Sequence, residues 1–270
     1  MCILLTAALG FDTVAIAKVQ SLAKVIHLMD REDTKENLRN QKISSDLYEN
    51  FCEYEKKSCY SRYEYLCGYL LTGTEKQKPL EKYLELVTKY ETKQFAHMTK
   101  NVKAIWADLA YFPVPAERAE NCDISFENSW MSERTFGGKR GHEGTDIMAS
   151  FNKRGHYPII SISDGTVEKM GWLPQGGYRI GVRAPGGAYF YYAHLYDYAD
   201  GLMEGSKVKA GELLGFMGDS GYGNEGTVGK FDVHLHMGIY LNNEKGEEFS
   251  INPYWILKYL EGKRLVSQYE

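Results

Sequence analysis

A chain of 270 residues is long enough for one large domain or two ordinary ones. Its 43% hydrophobic and 25% charged residues mark a folded globular protein, and exclude a disordered chain, a collagen-like repeat and a polytopic membrane protein. Thirty-two basic against thirty-six acidic residues leave a net charge of −4, without the concentrated cationic footprint that nucleic acid requires.

Residues 1–11 form an uncharged apolar run that Asp12 stops well short of the ~20 residues of a membrane span. No Lys or Arg precedes it, as the basic region of a signal peptide would demand. It reads as the start of a helix, or as the trimmed end of an anchor or signal. Glycine then divides the chain. Residues 1–120 hold only Gly10, Gly68 and Gly73, leaving twenty-four of the 27 glycines to residues 121–270. Because Gly is costly inside helices and useful in turns, the first half is expected to be helical and the second a turn-rich β structure.

In the first half, Ser44 or Ser45 can cap a helix with the apolar stripe Tyr48, Phe51, Cys52, Cys59, Tyr63, Leu66 and Leu70, closed by Thr72-Gly73. Pro79 suits the first turn of another helix, carrying Leu80, Tyr83, Leu84, Val87 and Tyr90. Cys2, Cys52, Cys59, Cys67 and Cys122 contain no CxxC pair. A seven-residue helical spacing spans ~10.5 Å, beyond the ~7 Å Cα limit of a disulfide, so these read as small buried thiols. His27 and His97 read as surface or packing histidines. Phe112-Pro-Val-Pro115 is an extended connector where helix stops.

Beyond it, short β-prone runs alternate with turn signals. Ile159–Ile162, Asp164-Gly165 and Thr166–Met170 predict one hairpin. Tyr178–Arg183, the turn at Pro185-Gly-Gly187 and Ala188–Leu195 predict a second, and Val208–Gly215 and Phe231–Leu241 complete an antiparallel sheet. The fold class is therefore α+β: a helical region over 1–115, then a mainly antiparallel β domain over 116–270.

Four of the seven histidines fall in three motifs of this second half. In His142-Glu-Gly-Thr-Asp146, an extended chain turns residues 142 and 146 the same way; one imidazole and one carboxylate on one face is half a zinc site. In Asp232-Val-His234-Leu-His236-Met-Gly238-Ile, alternation gives Val233, Leu235, Met237 and Ile239 to the core. His234 and His236 take the other face, ~6.5–7 Å apart. In Phe190-Tyr-Tyr192-Ala-His194, alternation puts Phe190, Tyr192 and His194 on one face. Two other signals are set aside: Gly215-Phe-Met-Gly218-Asp-Ser-Gly221 lacks the Lys-Ser/Thr of a phosphate loop and reads as turn glycines, and His156 lies outside the motifs.

The order and spacing of these motifs resemble the lysostaphin/LytM-type zinc endopeptidases, which cleave peptide stems or cross-bridges of bacterial peptidoglycan. The resemblance runs from about Phe136 to Leu241, through Gly-Lys-Arg140-Gly-His-Glu-Gly-Thr-Asp146, Asp164-Gly-Thr-Val167, Tyr192-Ala-His194-Leu, Gly205–Gly215 and His234-Leu-His236. It implies one zinc per chain held by His142, Asp146 and His236, with His194 and His234 as the catalytic pair. Three protein ligands leave a fourth position for water, the arrangement of catalytic zinc. His234 would then move the water's proton to the leaving amine, and His194 would donate to the developing oxyanion. The chain departs from the family pattern at Gly229-Lys-Phe-Asp-Val233 and Met237-Gly238, which touch the groove wall rather than the ligand atoms.

The resemblance implies a metalloendopeptidase with a peptidoglycan peptide as substrate, working outside the cytoplasm in the envelope or medium, although no export signal is evident in the chain. The rival is a catalytically silent LytM-like scaffold or activator of another wall hydrolase; such proteins usually lack a metal ligand, whereas all five residues are present. A zinc carrier or sensor would have no need of His194 and His234. The helical half is expected to position or restrain the catalytic domain, by packing near its groove or docking to an envelope protein partner, or else to be an inert spacer. The scissile bond, a Gly-Gly bridge or a bond of the D-amino-acid stem, stays open.

Overall fold

The computed structural model describes residues 32–90, 92–117, 123–243 and 245–267, together with Ala23 and Met29. The apolar run 1–11, His27, Cys2 and Cys122 lie outside the described residues. The chain divides into two compact units, Met1–Val102 and Lys103–Glu270, so the division falls inside a helix that begins before it.

The first unit is helical: α1 (Glu32–Asn40), α2 (Ser45–Glu55), α3 (Arg62–Thr72), α4 (Gln77–Tyr90) and α5 (Thr92–Trp106), the last running on into the second unit. The stripe read as a single helix from Tyr48 to Leu70 is two. The chain leaves the helix after Glu55 and restarts at Ser61, an extended N-cap whose hydroxyl accepts from Glu64 N at 3.3 Å while Glu64 returns a bond from Ser61 N at 2.7 Å. This capping box satisfies two amides that an unbroken helix would have paired with carbonyls. Phe51 and Tyr65 then stack at 5.8 Å across the break, and both are fully buried. Ser44 caps α2, accepting from Leu47 N at 3.2 Å, and Gly73 closes α3 with φ +68°. Gly68 lets α4 approach α3: a Cβ there would stand 2.9 Å from a Leu80 methyl and 3.0 Å from a Leu84 methyl. Cys52, Cys59 and Cys67 are free thiols.

The second unit is built on a ten-stranded sheet. Its strands are β1 (Ile124–Phe126), β2 (Thr145–Ala149), β3 (Pro158–Ile160), β4 (Gly165–Leu173), β5 (Gly177–Arg183), β6 (Tyr189–Tyr198), β7 (Lys207–Val208), β8 (Leu213–Met217), β9 (His234–Asn242) and β10 (Glu248–Ile251). They run β7-β4-β5-β6-β9-β2-β1, with β8 joining β3 and β6, β10 joining β9, and every pairing antiparallel. The predicted β5–β6 hairpin is present, its turn closed by Ala184 N to Ala188 O at 2.8 Å. The other predicted hairpin is not. β3 pairs with β8 and β4 with β5 and β7, because Ser161–Asp164 carries the chain away from β3 instead of folding it back. Val208–Gly215 is likewise split between β7 and β8.

Ile147, Ile180, Phe190, Tyr192, Leu235, Met237 and Ile239 are fully buried in the sheet core. A helix that the sequence reading did not anticipate, α6 (Tyr254–Leu260), buries Ile256, Leu257 and Leu260, and its Tyr259 meets Trp106 at 5.6 Å. The proline connector is stitched into this unit. Phe112 and Val114 are fully buried, and Pro113 O accepts from Ile160 N at 2.9 Å. Arg264 donates to the carbonyls of Val114 and Pro115 at 3.0 and 2.8 Å. Prolines lack N–H but keep their acceptors, so such a segment can border a sheet through its carbonyls. Among the described residues, no helix is long and apolar enough to cross a membrane.

Candidate active site

Strand pairing places the residues of the three motifs. β9 lies between β2 and β6, with His236 directly opposite Asp146 on one side and Ala193 on the other. Val233, Leu235, Met237 and Ile239 face the core as alternation requires, which turns His234 and His236 to the opposite face. His142 follows the short strand Arg140–Gly141, which pairs with Glu133–Arg134, and is anchored by its N–H to Ser132 O at 2.9 Å. Gly144 then allows the close return to β2: a Cβ at that position would overlap the His236 ring.

His142, Asp146 and His236 converge. Asp146 Oδ1 lies 3.1 Å from His142 Nε2 and 2.9 Å from His236 Nδ1, and those two nitrogens are 3.0 Å apart. The two nitrogens face each other as well as the carboxylate, so two N–H groups would point at one another, and a single N–H would leave its neighbour's lone pair against the carboxylate. Three donor atoms around one point fit a cation instead. A tetrahedral zinc with bonds of about 2.0–2.1 Å would hold its ligand atoms about 3.3 Å apart, close to the spacing here. Around these atoms, Ser129 Oγ lies 2.9 Å and Arg134 Nη2 3.2 Å from His142 Nδ1, and Arg134 Nη2 also donates to Asp146 Oδ2 at 2.8 Å, leaving His142 Nε2 and Asp146 Oδ1 facing the site. Burial alone would raise the Asp146 carboxyl, but the hydrogen bonds of His142 and His236 outweigh it and hold it far below the usual carboxylate range. Burial also depresses His236 against the opposing pull of Asp146, favouring the unprotonated ring a ligand needs.

His194 reaches the site by a route alternation did not predict. Phe190 and Tyr192 point into the core, where the Tyr192 hydroxyl accepts from Ile162 N at 2.9 Å. His194 has left that face. Its φ is +63°, rare for a residue with a Cβ, and β6 shifts register here against β5 and β8. The reversal aims the ring into the groove, with Nδ1 2.8 Å from Ser220 O. His234 is held in the same manner, with Nδ1 2.7 Å from Asp232 O and its ring 4.7 Å from that of His194. A carbonyl can only accept, so each Nδ1 carries a proton and each neutral ring keeps its lone pair on Nε2. Burial, with the neighbouring His234 and His236, pushes the His194 pKa well below its ordinary value.

All five residues line one open groove of about 1020 Å³, whose walls also carry Tyr189, Tyr191, Tyr222, Phe231 and Tyr240. Phe231 packs against both catalytic-pair candidates, 4.6 Å from the His194 ring and 4.9 Å from that of His234. Other tyrosines, Tyr65, Tyr157 and Tyr192, are fully buried in cores. His156 stays outside, edge-on to Phe151 and Tyr157. Ser129 and Arg134 escaped the sequence reading because neither belongs to a motif. The glycines of 215–221 serve close strand approach: a Cβ at Gly215 would overlap the backbone carbonyl of Asp197, and one at Gly218 would stand 2.6 Å from Tyr196 N.

Comparison with known proteins agrees with this architecture. Residues 140–248 match the model of Peptidase family M23. The chain is 42% identical to a Ruminococcus gnavus protein provisionally named glycyl-glycine endopeptidase lytM, whose crystal structure it matches with a TM-score of 0.74 over 91% of this chain and 98% of that one. It is 43% identical over 143 residues to the L-Ala–D-Glu endopeptidase of Bacillus subtilis (strain 168), covering 53% of this chain and 41% of that protein. The chain therefore spans well under half the length of that curated relative. The catalytic domain of lysostaphin from Staphylococcus simulans is 26% identical, with a TM-score of 0.39 over 51% of this chain and 93% of that one. The chain belongs to peptidase family M23.

Proposed function

We propose that this protein is a zinc-dependent endopeptidase that hydrolyses peptide stems or cross-bridges of bacterial peptidoglycan outside the cytoplasm, with its catalytic machinery in residues 116–270. One observation carries the reading: three metal-ligand atoms within 3.1 Å of one another share a groove with two further imidazoles whose Nε2 lone pairs are free of the backbone bonds that fix Nδ1. A storage or structural site requires the first feature and has no use for the second.

His142 through Nε2, Asp146 through Oδ1 and His236 through Nδ1 would hold one zinc per chain. When bound, that ion polarises the scissile carbonyl and lowers the pKa of water towards ~7. The protein's own part is positioning and proton transfer. The groove and its tyrosines take an extended peptide. His234 Nε2 lies 3.9 Å from Asp146 Oδ1, at the edge of the metal site. In its neutral form it accepts the proton of the attacking water and returns it to the leaving amine. His194 faces it, with 4.7 Å between the ring centroids, and would donate to the developing oxyanion from Nε2 when its ring carries a proton of its own there. The helical region, residues 1–115, we assign to positioning the catalytic domain or docking it to an envelope protein partner.

The test is digestion of defined muropeptides by the zinc-loaded protein, with products read by mass. New amine and carboxyl termini are expected at one type of peptide bond, lost with a chelator and restored by zinc. Stoichiometric zinc retention with no cleavage of any muropeptide or intact wall would overturn the assignment.

A further inference from the structure

Two arginines of the groove wall each bury a nitrogen that is left unmet, although Arg140 Nη1 reaches Gly141 O at 3.5 Å. Arg140 precedes His142 in the short strand Arg140–Gly141, Arg179 lies in β5, and both line the groove. Nε of Arg140 and Nη1 of Arg179 are buried nitrogens without a hydrogen-bond partner. Among the described residues neither guanidinium forms an ion pair, whereas Arg134 is engaged with Asp146 and Arg183 holds Glu168 through two bonds of 2.6 and 2.9 Å. Folded proteins seldom bury charged donors and leave them unmet, so such donors call for a group that arrives from outside.

Their placement says where that group would sit. Gly181 of β5 pairs with Tyr191 of β6, and Arg179, two residues along, shares its face. Arg140 stands two residues before the candidate ligand His142, and Arg179 lines the groove on the same strand face as the Tyr191 ring. That ring lies 6.1 Å from the His236 ring, next to the candidate metal site. Glu143, Glu168 and Glu248 line the same groove; Glu168 is spent on Arg183, and among the described residues none of the three forms an ion pair with Arg140 or Arg179. A guanidinium's planar fork matches a carboxylate through paired N–H bonds, a match that an amide or glycine backbone lacks.

We propose that Arg140 and Arg179 form a carboxylate clamp beside the scissile position, selecting a peptide with a free carboxylate next to the cleaved bond over a neutral oligoglycine bridge. A stem whose D-glutamate is linked through its γ-carboxyl presents such a group in its free α-carboxylate. The clamp rests on the endopeptidase reading of this groove, and it names the substrate class within it.

Binding separates the two ideas. The zinc-loaded full chain carrying His234→Ala, which holds peptide without turning it over, is titrated by calorimetry with L-Ala-γ-D-Glu-L-Lys, with the same peptide amidated at the α-carboxyl, and with pentaglycine. The acid is expected to bind at least about tenfold tighter than the amide. Adding Arg179→Gln or Arg140→Gln should drop that acid-to-amide ratio towards one, with Arg179→Lys intermediate. Near-native circular dichroism and zinc content qualify each variant, and Arg140 and Arg179 provide independent variants if one misfolds. Equal binding of acid and amide, a ratio unmoved in both glutamine variants, tighter binding of pentaglycine, or no detectable binding of the acid would each overturn the clamp. If the unsubstituted protein cleaves nothing while the ratio behaves as stated, the clamp stands and the peptidase assignment falls. Cleavage without acid preference has the reverse meaning.

Discussion

The two units of this chain reach order by different routes. The helical unit is assembled from near neighbours: capping contacts span three residues, at Ser44–Leu47 and Ser61–Glu64, and Gly68 meets Leu80 and Leu84. The β unit is assembled from distant ones. His236 and Asp146 face each other across 90 residues of sequence, and Arg264 closes on Val114 across 150. Local order tolerates local damage, whereas a site gathered from three strands and a loop depends on register throughout. That difference predicts where substitution abolishes function and where it only lowers stability.

The largest effect is expected at the metal ligands. His236→Ala should bring bound zinc, read by elemental analysis, from about one per chain to near zero, with wall-lytic rate at background. Leu84→Ala in the helical unit, fully buried, should cost about 2–5 kcal/mol in denaturant unfolding and leave zinc content unchanged. Loss of zinc from the helical variant would erase the contrast between the units.

Next come the two imidazoles beyond the ligands. His234→Ala and His194→Ala should keep zinc while turnover of purified walls falls roughly 10²–10⁴-fold. Near-native rates in either, with zinc and fold intact, would remove that ring from the proton chemistry.

A smaller effect sharpens where the β unit begins. A fragment of residues 103–270 should melt cooperatively, because it keeps Trp106, Phe112 and Val114, all nearly or fully buried. A fragment of residues 121–270 loses all three, each large aromatic being worth about 3–5 kcal/mol, and should show no cooperative transition by circular dichroism. Equal melting of the two would mean the connector is dispensable.

Smallest is a cap. Ser61→Ala should cost about 1 kcal/mol, seen as a modest drop in the denaturant midpoint, with activity unaltered. A much larger loss would mean that the break between α2 and α3 organises more than its own turn.

What the sequence determined by itself was whatever follows from period and composition. Glycine distribution separated helix from sheet, and period-two alternation put His234 and His236 opposite Val233, Leu235 and Met237, because strand geometry forces neighbouring side chains to opposite faces. That rule does not reach His142 and Asp146, since His142 precedes the strand and the chain bends at Gly144 instead of running extended between them. Tertiary structure alone decided the rest. The helix stripe from Tyr48 to Leu70 kept its apolar spacing across a break that the Ser61–Glu64 capping box made favourable, so periodicity could not see it. β3 chose β8 over the adjacent β4, a pairing fixed by distant partners and not by the turn between them. His194 could not be placed by counting, since one left-handed residue and a shifted register reverse which face a side chain takes. Ser129 and Arg134 beside the ligands, and Arg140 and Arg179 with a buried nitrogen each left unmet, gained meaning only when segments remote in sequence came together, because hydrogen bonding and charge act through space and leave no period in the chain.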